Sequence, residues 1–259
     1  MKSHYDSISP ASLSGQELDA LLAAGWFRMH QRMFTATHLS YDDYCRVHWL
    51  RYPLDSIKDQ PSHRQIRKKN KSFLYRVDDF RSLDTGHMSL YDRYRKSINF
   101  GAPQMLSDCL FDDVTNMENI FRTQCISVFD RDKLIAVGYV DLGDDSAAAI
   151  LNFYDPDYKR HSLGKYVMLL TVDLLKTRGY KFYYPGYLLA GKPKMDYKLF
   201  LGTQVAQFYN PETTAWEAYH KGLHLPENLN EADRPDEMID LDEFIRALEA
   251  GNEKRASEQ

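Results

Sequence analysis

Two carboxylates flank a proline between aromatic rings in Tyr154-Asp155-Pro156-Asp157-Tyr158, and Ser162-Leu163-Gly164 follows close behind. Carboxylates so placed can hold and orient an ammonium group or relay its proton through water. The same composition also suits a plain turn at a strand end. Downstream stand Tyr183-Tyr184-Pro185-Gly186-Tyr187 and Lys194-Met195-Asp196-Tyr197-Lys198. Generic core packing does not ask for three polar, aromatic-rich segments, so they mark the region of a site.

The elements that must position these residues are legible in the pattern. The apolar run Ala147 to Tyr154 predicts a short strand buried on both faces. Leu163, Val167, Leu170 and Leu174 recur at helical spacing and predict a helix to about Arg178, with Gly179 as its C-cap behind Lys176 and Arg178. Phe182 to Leu189 predicts a second strand. Strand, helix, strand in this length is a crossover unit with parallel strands. The loop from Asp155 to Gly164 then ends at a helix N-terminus, where unpaired N–H groups and the dipole attract an anion. Tyr154, Ser162, Leu163 and Gly164 are its candidate substrate contacts. Pro185-Gly186 interrupts the second strand, because proline cannot donate to a ladder and glycine weakens one. Parallel strands that part there leave a slot in which a linear acyl donor can meet an amine.

Over this region the chain resembles the C-terminal domain of the aminoacyl-tRNA–protein transferases, that is, arginyl-tRNA–protein transferase and the bacterial aspartate/glutamate leucyltransferase. Four motifs carry the likeness in the family's order: Phe153-Tyr154-Asp155-Pro156-Asp157, Ser162-Leu163-Gly164-Lys165-Tyr166, Tyr184-Pro185-Gly186-Tyr187 and Lys194-Met195-Asp196-Tyr197-Lys198. Weaker similarity extends upstream through Leu90-Tyr91-Asp92-Arg93-Tyr94, Gly25-Trp26 and the basic run ending at Asn70. The resemblance implies an α+β fold: a GNAT-like acyltransferase domain, a mixed sheet with splayed parallel strands flanked by helices, behind a small N-terminal α+β domain. The expected division is 1–80, 81–224 and an acidic tail over 225–259. It also implies transfer of arginine or leucine from aminoacyl-tRNA to the N-terminal amine of an acceptor protein with an acidic N-terminus, as in N-degron tagging. Aminoacyl-tRNA is then a co-substrate, no separate cofactor is expected, and the location is cytoplasmic.

On that chemistry Asp155 and Asp157 orient the attacking ammonium, and Tyr184 or Tyr187 protonates the departing ribose hydroxyl. Backbone N–H groups near Gly186 stabilise the oxyanion. Arg160, Lys194 and Lys198 are candidate cations for the acidic acceptor, with Met195 and Tyr197 beside them. The chain also departs from the family. Where relatives carry an N-terminal cysteine cluster, Phe34 to Arg51 holds only Cys45, near His38 and His48. Structural zinc needs four good ligands, so no metal site is expected. The family's Arg-His after the Leu-Tyr-x-Arg-Tyr segment reads Ser97-Ile98-Asn99, and its Cys before Lys-Met is replaced around Gly191-Lys192-Pro193.

Composition bounds the rest. At 259 residues the chain is long enough for one large or two small domains. No run of apolar residues approaches the length that spans a bilayer, and three unpatterned cysteines suit a reducing compartment. Neither a membrane nor DNA is an expected partner. The net charge of −4 is unevenly spread: residues 221–259 hold five Lys/Arg and eleven Asp/Glu, leaving 28 basic and 26 acidic residues, net +2, in the body. Within that body Lys58, Arg64, Arg67, Lys68, Lys69 and Lys71 form the dense basic patch, on a short helix that Ser62 caps if it caps anything. Arg64, Arg67, Lys68, Lys69 and Lys71 are candidate tRNA-backbone contacts; an ordinary solvated helix has the same look. Tyr41, Tyr44, Trp49 and Trp26 are candidate rings for unstacked bases or for the core.

Two rivals share the fold. An acyl-CoA-dependent N-acetyltransferase needs a pyrophosphate loop with several small residues, whereas His161-Ser162-Leu163-Gly164-Lys165-Tyr166 keeps one glycine and ends in a bulky ring. A non-catalytic RNA- or degron-binding relative is the other.

Overall fold

The computed structural model describes residues 4–41, 43–99, 101–112 and 117–224. The acidic tail, including the amphipathic stretch near Leu241 to Leu248, lies outside the described residues, as does the side chain of Tyr41. In chain order the first elements are β1 (Tyr5–Ile8), α1 (Gly15–Ala23), β2 (Phe27–Met29), β3 (Arg32–Ala36), β4 (His38–Tyr41) and β5 (Asp43–Pro53). Then come α2 (Pro61–Lys69), β6 (Leu74–Asp79), α3 (Thr85–Ser97), α4 (Leu106–Leu110), β7 (Thr123–Asp130), β8 (Lys133–Leu142) and β9 (Ser146–Tyr154). The chain continues through α5 (Leu163–Thr177), β10 (Phe182–Leu189), β11 (Gln207–Asn210) and β12 (Ala215–Ala218).

A mixed sheet of order β12-β11-β5-β10-β9-β8-β7-β6 forms the centre, with β4 paired to β5 and a separate small sheet β1-β3-β2. β10 runs parallel to β9, while the other pairings in the central sheet are antiparallel. The expected α+β architecture, a mixed sheet with a parting parallel pair flanked by helices, is therefore present. Strands β5 and β6, both from the segment before residue 81, are built into this sheet beside the strands that follow.

Alternation along β8 sorts the core onto the two faces of the sheet. Ala136 packs with Leu163, Val167 and Leu170 of α5, while Val137 and Tyr139 pack with Leu90 and Tyr91 of α3 and Leu106 and Leu110 of α4. The second half of α5 buries Met168, Leu169, Val172 and Leu175 against Val140, Ala147 and Tyr183. The apolar period thus continues through the helix and holds it flat on the sheet. Helix α5 ends at Thr177 with Arg178 as its C-cap, and Gly179 takes φ +79°, as its C-terminal position requires.

Close approach of α5 depends on Gly138. A Cβ there would collide with Cγ1 of Val167 and stand 2.6 Å from Oδ1 of Asn152. Gly138→Ala is expected to cost about 1–3 kcal/mol of stability, as overpacking does in a dense core. Urea denaturation, with a lowered midpoint at unchanged slope, checks it.

Helix α2 is capped by Gln60, not Ser62: Pro61 occupies the first helical position, where a missing N–H costs nothing, and this shifts the start by two residues.

Candidate active site

Strands β9 and β10 pair only through Ser146–Ala148 and Phe182–Tyr184. Beyond that point β9 continues along β8 to Tyr154, and β10 bulges between Tyr183 and Gly186 and follows β5 as far as Leu189. Pro185 cannot donate, and Gly186 takes φ +100°, a region closed to most side chains, so the chain breaks register where the sequence predicts. The long strand β5 keeps β10 hydrogen-bonded on its far edge while its near edge leaves β9. The result is a wedge between two parallel strands.

Phenol rings line the wedge. Tyr154 at the end of β9 lies 5.3 Å from Tyr94 of α3, centroid to centroid. Burial, helped by the nearby hydroxyls of Tyr154 and Tyr197, pushes the Tyr94 phenol up to about 12. On the β10 side, Tyr187 meets the edge of Trp49 at 5.3 Å and is itself pushed up to about 12 by burial. The 3-10 segment Pro193–Leu201 follows β10 and places Tyr197 and Lys198 between these walls. Tyr183 is fully buried, and its hydroxyl has no hydrogen-bond partner among the described residues.

Lys198, one of the candidate cations, joins these rings. Its side chain is buried, its Nζ donates to the carbonyl of Tyr187 at 2.7 Å, and Met195 Sδ lies at 3.6 Å. The Tyr187 ring centroid is 4.7 Å from Nζ. Among the described residues no carboxylate pairs with it, and burial pulls its pKa down to about 7. A solvated lysine titrates near 10.4. The Tyr52 hydroxyl donates to the Lys198 carbonyl at 2.9 Å and fixes the backbone beneath the side chain.

Asp155 differs from its expected role. Its side chain is 0% exposed and makes two ion pairs, with Arg93 at 2.8 Å and Lys133 at 2.9 Å. It also caps the 3-10 turn Pro156–His161 by accepting from the Asp157 N–H at 3.0 Å. Burial alone would raise its pKa, but the bond from Lys133, the Asp157 N–H and the Arg93 charge outweigh it and hold the carboxyl below the usual range. Enclosed and ion-paired to two cations, Asp155 is a clasp joining α3 and β8 to the loop. Asp157 is exposed and shares Arg93 at 2.9 Å.

Other expected contacts divide between core and surface. Leu163 is fully buried in the core under α5, so its side chain anchors the helix and cannot touch a substrate. Tyr184 is 3% exposed and packs edge-on against Trp216 at 5.5 Å, which removes it from a proton-donor role at the wedge. Trp49 also belongs to the core. A Cβ added at Gly164 would stand 3.9 Å from the Tyr154 ring. Ser162, Arg160 and Lys194 are exposed, and Ser162 takes the left-handed conformation, φ 54°, without capping α5 through its side chain. Tyr166 turns into the core beside Leu163 and Val167 and so does not crowd the loop. What fills the loop is the 3-10 turn, tied down from α2: Lys69 Nζ donates to the Arg160 carbonyl, and Asn70 Nδ2 donates to the His161 carbonyl at 3.0 Å.

The basic patch is partly spent on the protein itself. Arg64 pairs with Asp59 at 3.3 Å, and Arg67 bridges Asp59 and Asp173, each at 2.7 Å. Lys68 and Lys71 remain exposed, with no ion pair among the described residues. Among those residues no group of three or more His, Cys, Asp or Glu could hold a metal ion.

Residues 86–207 match the family described as "Arginine-tRNA-protein transferase, C terminus". The matched region is similar to that family. It holds the wedge, the Asp155 clasp with Arg93 and Lys133, and Lys198. The chain is similar to the aspartate/glutamate leucyltransferase of Acinetobacter baumannii, 28% identical over 159 residues, covering 60% of this chain and 55% of that one. It is also similar to that of Leptospira interrogans, 30% identical over 151 residues, 57% and 58% of the two chains. The match thus spans little more than half the length of these relatives. Among solved structures, the ribosomal-protein-S18-alanine N-acetyltransferase of Escherichia coli overlaps loosely, at a TM-score of 0.30 and 17% identity, over 41% of this chain and 62% of that one. Arg93 and Tyr94 were within reach of the sequence, in the upstream segment that carries the weaker likeness; Lys133 carries no local signal.

Proposed function

We propose that this chain transfers an aminoacyl group, arginine or leucine, from a charged tRNA to the N-terminal amine of an acceptor protein, with acidic N-termini preferred, as in N-degron tagging. The parting of β9 and β10 into a wedge walled by Tyr94, Tyr154, Tyr187 and Tyr197 carries the reading, and the family match over the same residues supports it. The donor is an activated ester, so no ATP and no covalent enzyme intermediate are needed. The acceptor amine has a pKa of about 7.7–8.0 and is roughly 10–20% neutral at pH 7. Deprotonating it therefore costs about 1 kcal/mol, far less than the several kcal/mol that correct placement of two reactants supplies. The amine attacks the ester carbonyl, a tetrahedral intermediate forms, and the 3′-terminal ribose oxygen leaves as a hydroxyl. The phenols of Tyr94 and Tyr187, held protonated by burial, can donate hydrogen bonds to the developing oxyanion. The exposed cations of α2 and the loop it ties down supply the surface for the tRNA backbone.

Incubating the full chain with labelled Arg-tRNA or Leu-tRNA and peptides beginning with Asp, Glu, Lys or Arg tests the reading. Transfer to at least one acidic peptide is expected. Absence of transfer in every combination, with measurable binding of acetyl-CoA, overturns it. Charge reversal at Lys68 and Lys71 is expected to weaken tRNA binding while leaving the fold intact. The slope of log affinity against log salt should fall by about one for each lysine, as measured by filter binding.

A further inference from the structure

We infer that the side-chain amine of Lys198 is the catalytic group that takes the proton from the attacking α-amine at the mouth of the wedge. The inference rests on the transfer activity proposed above and adds a residue role to it. Its ground is position. Lys198 reaches back from the 3-10 segment to the Tyr187 carbonyl, beyond the last pair that joins β10 to β9. That places Nζ beside Gly186, where a Cβ would stand 3.3 Å from it, at the start of the wedge. A lysine is costly to bury, and a buried charge is ordinarily paired; this one has no carboxylate among the described residues.

The surroundings favour a neutral amine. From β5 the Tyr52 hydroxyl bonds the Lys198 carbonyl, and β10 presents Tyr183 and Tyr187. Its own segment carries Lys194, Asp196 and Tyr197, the last with its ring centroid 6.0 Å from Nζ. Helix α5 contributes Lys165, which lies over Phe200 at 4.9 Å. A full positive charge in this setting is supported only by one carbonyl, one thioether and ring faces, and desolvation lowers the pKa to about 7.

The step balances as follows. The neutral acceptor amine uses its lone pair to form the N–C bond to the aminoacyl carbonyl, and the proton it sheds as that bond forms passes to Lys198 Nζ. The tetrahedral intermediate expels the ribose 3′ oxygen, and the C–O bond breaks. Lys198 Nζ passes its proton to that oxygen, directly or through a water, giving the free hydroxyl and the amide. The lysine is then neutral again.

An alternative role for the same side chain, as a cation that reads the acidic acceptor, predicts different outcomes. The experiment compares the wild-type chain with Lys198→Arg and Lys198→Ala, all checked for folding by circular dichroism, on acidic and neutral acceptor peptides. For a proton acceptor, both variants are expected to lose about a hundredfold in kcat, within the range for general-base catalysis. The ratio of acidic to neutral acceptors stays unchanged, and small primary amines restore part of the Lys198→Ala rate. An acceptor with an aminooxy N-terminus, neutral across the range, isolates the enzyme's own titration. With it the wild-type kcat/KM should fall below pH about 7, and Lys198→Ala should lack that limb. Near-wild-type activity in Lys198→Arg, or a Lys198→Ala loss confined to acidic peptides, overturns the inference and leaves the transferase reading standing. Failure of the wild type to transfer at all overturns both.

Discussion

Asp155→Asn is expected to lower the stability of the chain by about 2–3 kcal/mol and to slow transfer with it. The carboxylate it removes is fully enclosed and ion-paired to both Arg93 and Lys133. Breaking a buried pair from one side costs about 3–5 kcal/mol when the stranded partner is buried too. Here the stranded cations are 42% and 46% exposed and can rehydrate, which places the expectation below that range. Asn can still accept from the Asp157 N–H, so the 3-10 turn keeps its cap and the effect isolates the charge. Asp157→Asn, which removes an exposed carboxylate from the same arginine, is expected to cost no more than about 0.5 kcal/mol. The pH dependence has a definite sign. The folded-state pKa of Asp155 is depressed, so its contribution is fully present above the unfolded value of about 3.9 and is lost as pH falls through the folded one. The gap between wild type and variant should therefore close on acidification below pH about 4. Urea midpoints across pH 3 to 7 measure it, and a gap that persists unchanged at pH 3 rules the ion pairs out as its cause.

The strand–helix–strand frame of the site was readable because each element is locally consistent. Apolar residues at helical spacing set the span of α5, and Pro185-Gly186 forces a break whatever surrounds it. The partners of these elements were not readable. β5 comes from a segment far from β10, and the wedge exists only because that strand holds the far edge of β10 in place. Asp-Pro-Asp has the same composition whether it holds a substrate or closes a clasp. The difference lies in Arg93 and Lys133, one on a helix and one at the start of a strand, and neither carries a mark that points to Asp155.

Lysine in Lys194-Met195-Asp196-Tyr197-Lys198 reads as a solvated cation, because burial of a long amine is decided by the tertiary path of the 3-10 segment. The basic patch misled in the opposite direction. Its cations are real, but Asp59 and Asp173 neutralise both arginines, while Lys68 and Lys71 keep the unpaired exposure that a phosphate contact needs.

Gly186→Ala should damage catalysis more than its size suggests. At φ +100° an alanine carries strain of about 1–3 kcal/mol, because its Cβ meets its own backbone. Here the Cβ also stands 3.3 Å from Lys198 Nζ and 3.6 Å from Cε, so the lysine must give way or the bulge must close. Either movement shifts the amine away from the Tyr187 carbonyl and the mouth of the wedge. A displacement of about 1 Å at a reacting group can cost on the order of a hundredfold in rate, and a loss of at least tenfold in kcat is expected. Backbone strain and displacement of Lys198 are separable by a double-mutant cycle. If the rate effect passes through the lysine, Gly186→Ala should lower kcat strongly in the wild-type background and hardly at all once Lys198 is alanine. The stability loss from φ strain should persist in both backgrounds. Equal losses of rate in the two backgrounds would show that Gly186 shapes the wedge by itself, and the link between the bulge and the buried amine would be withdrawn.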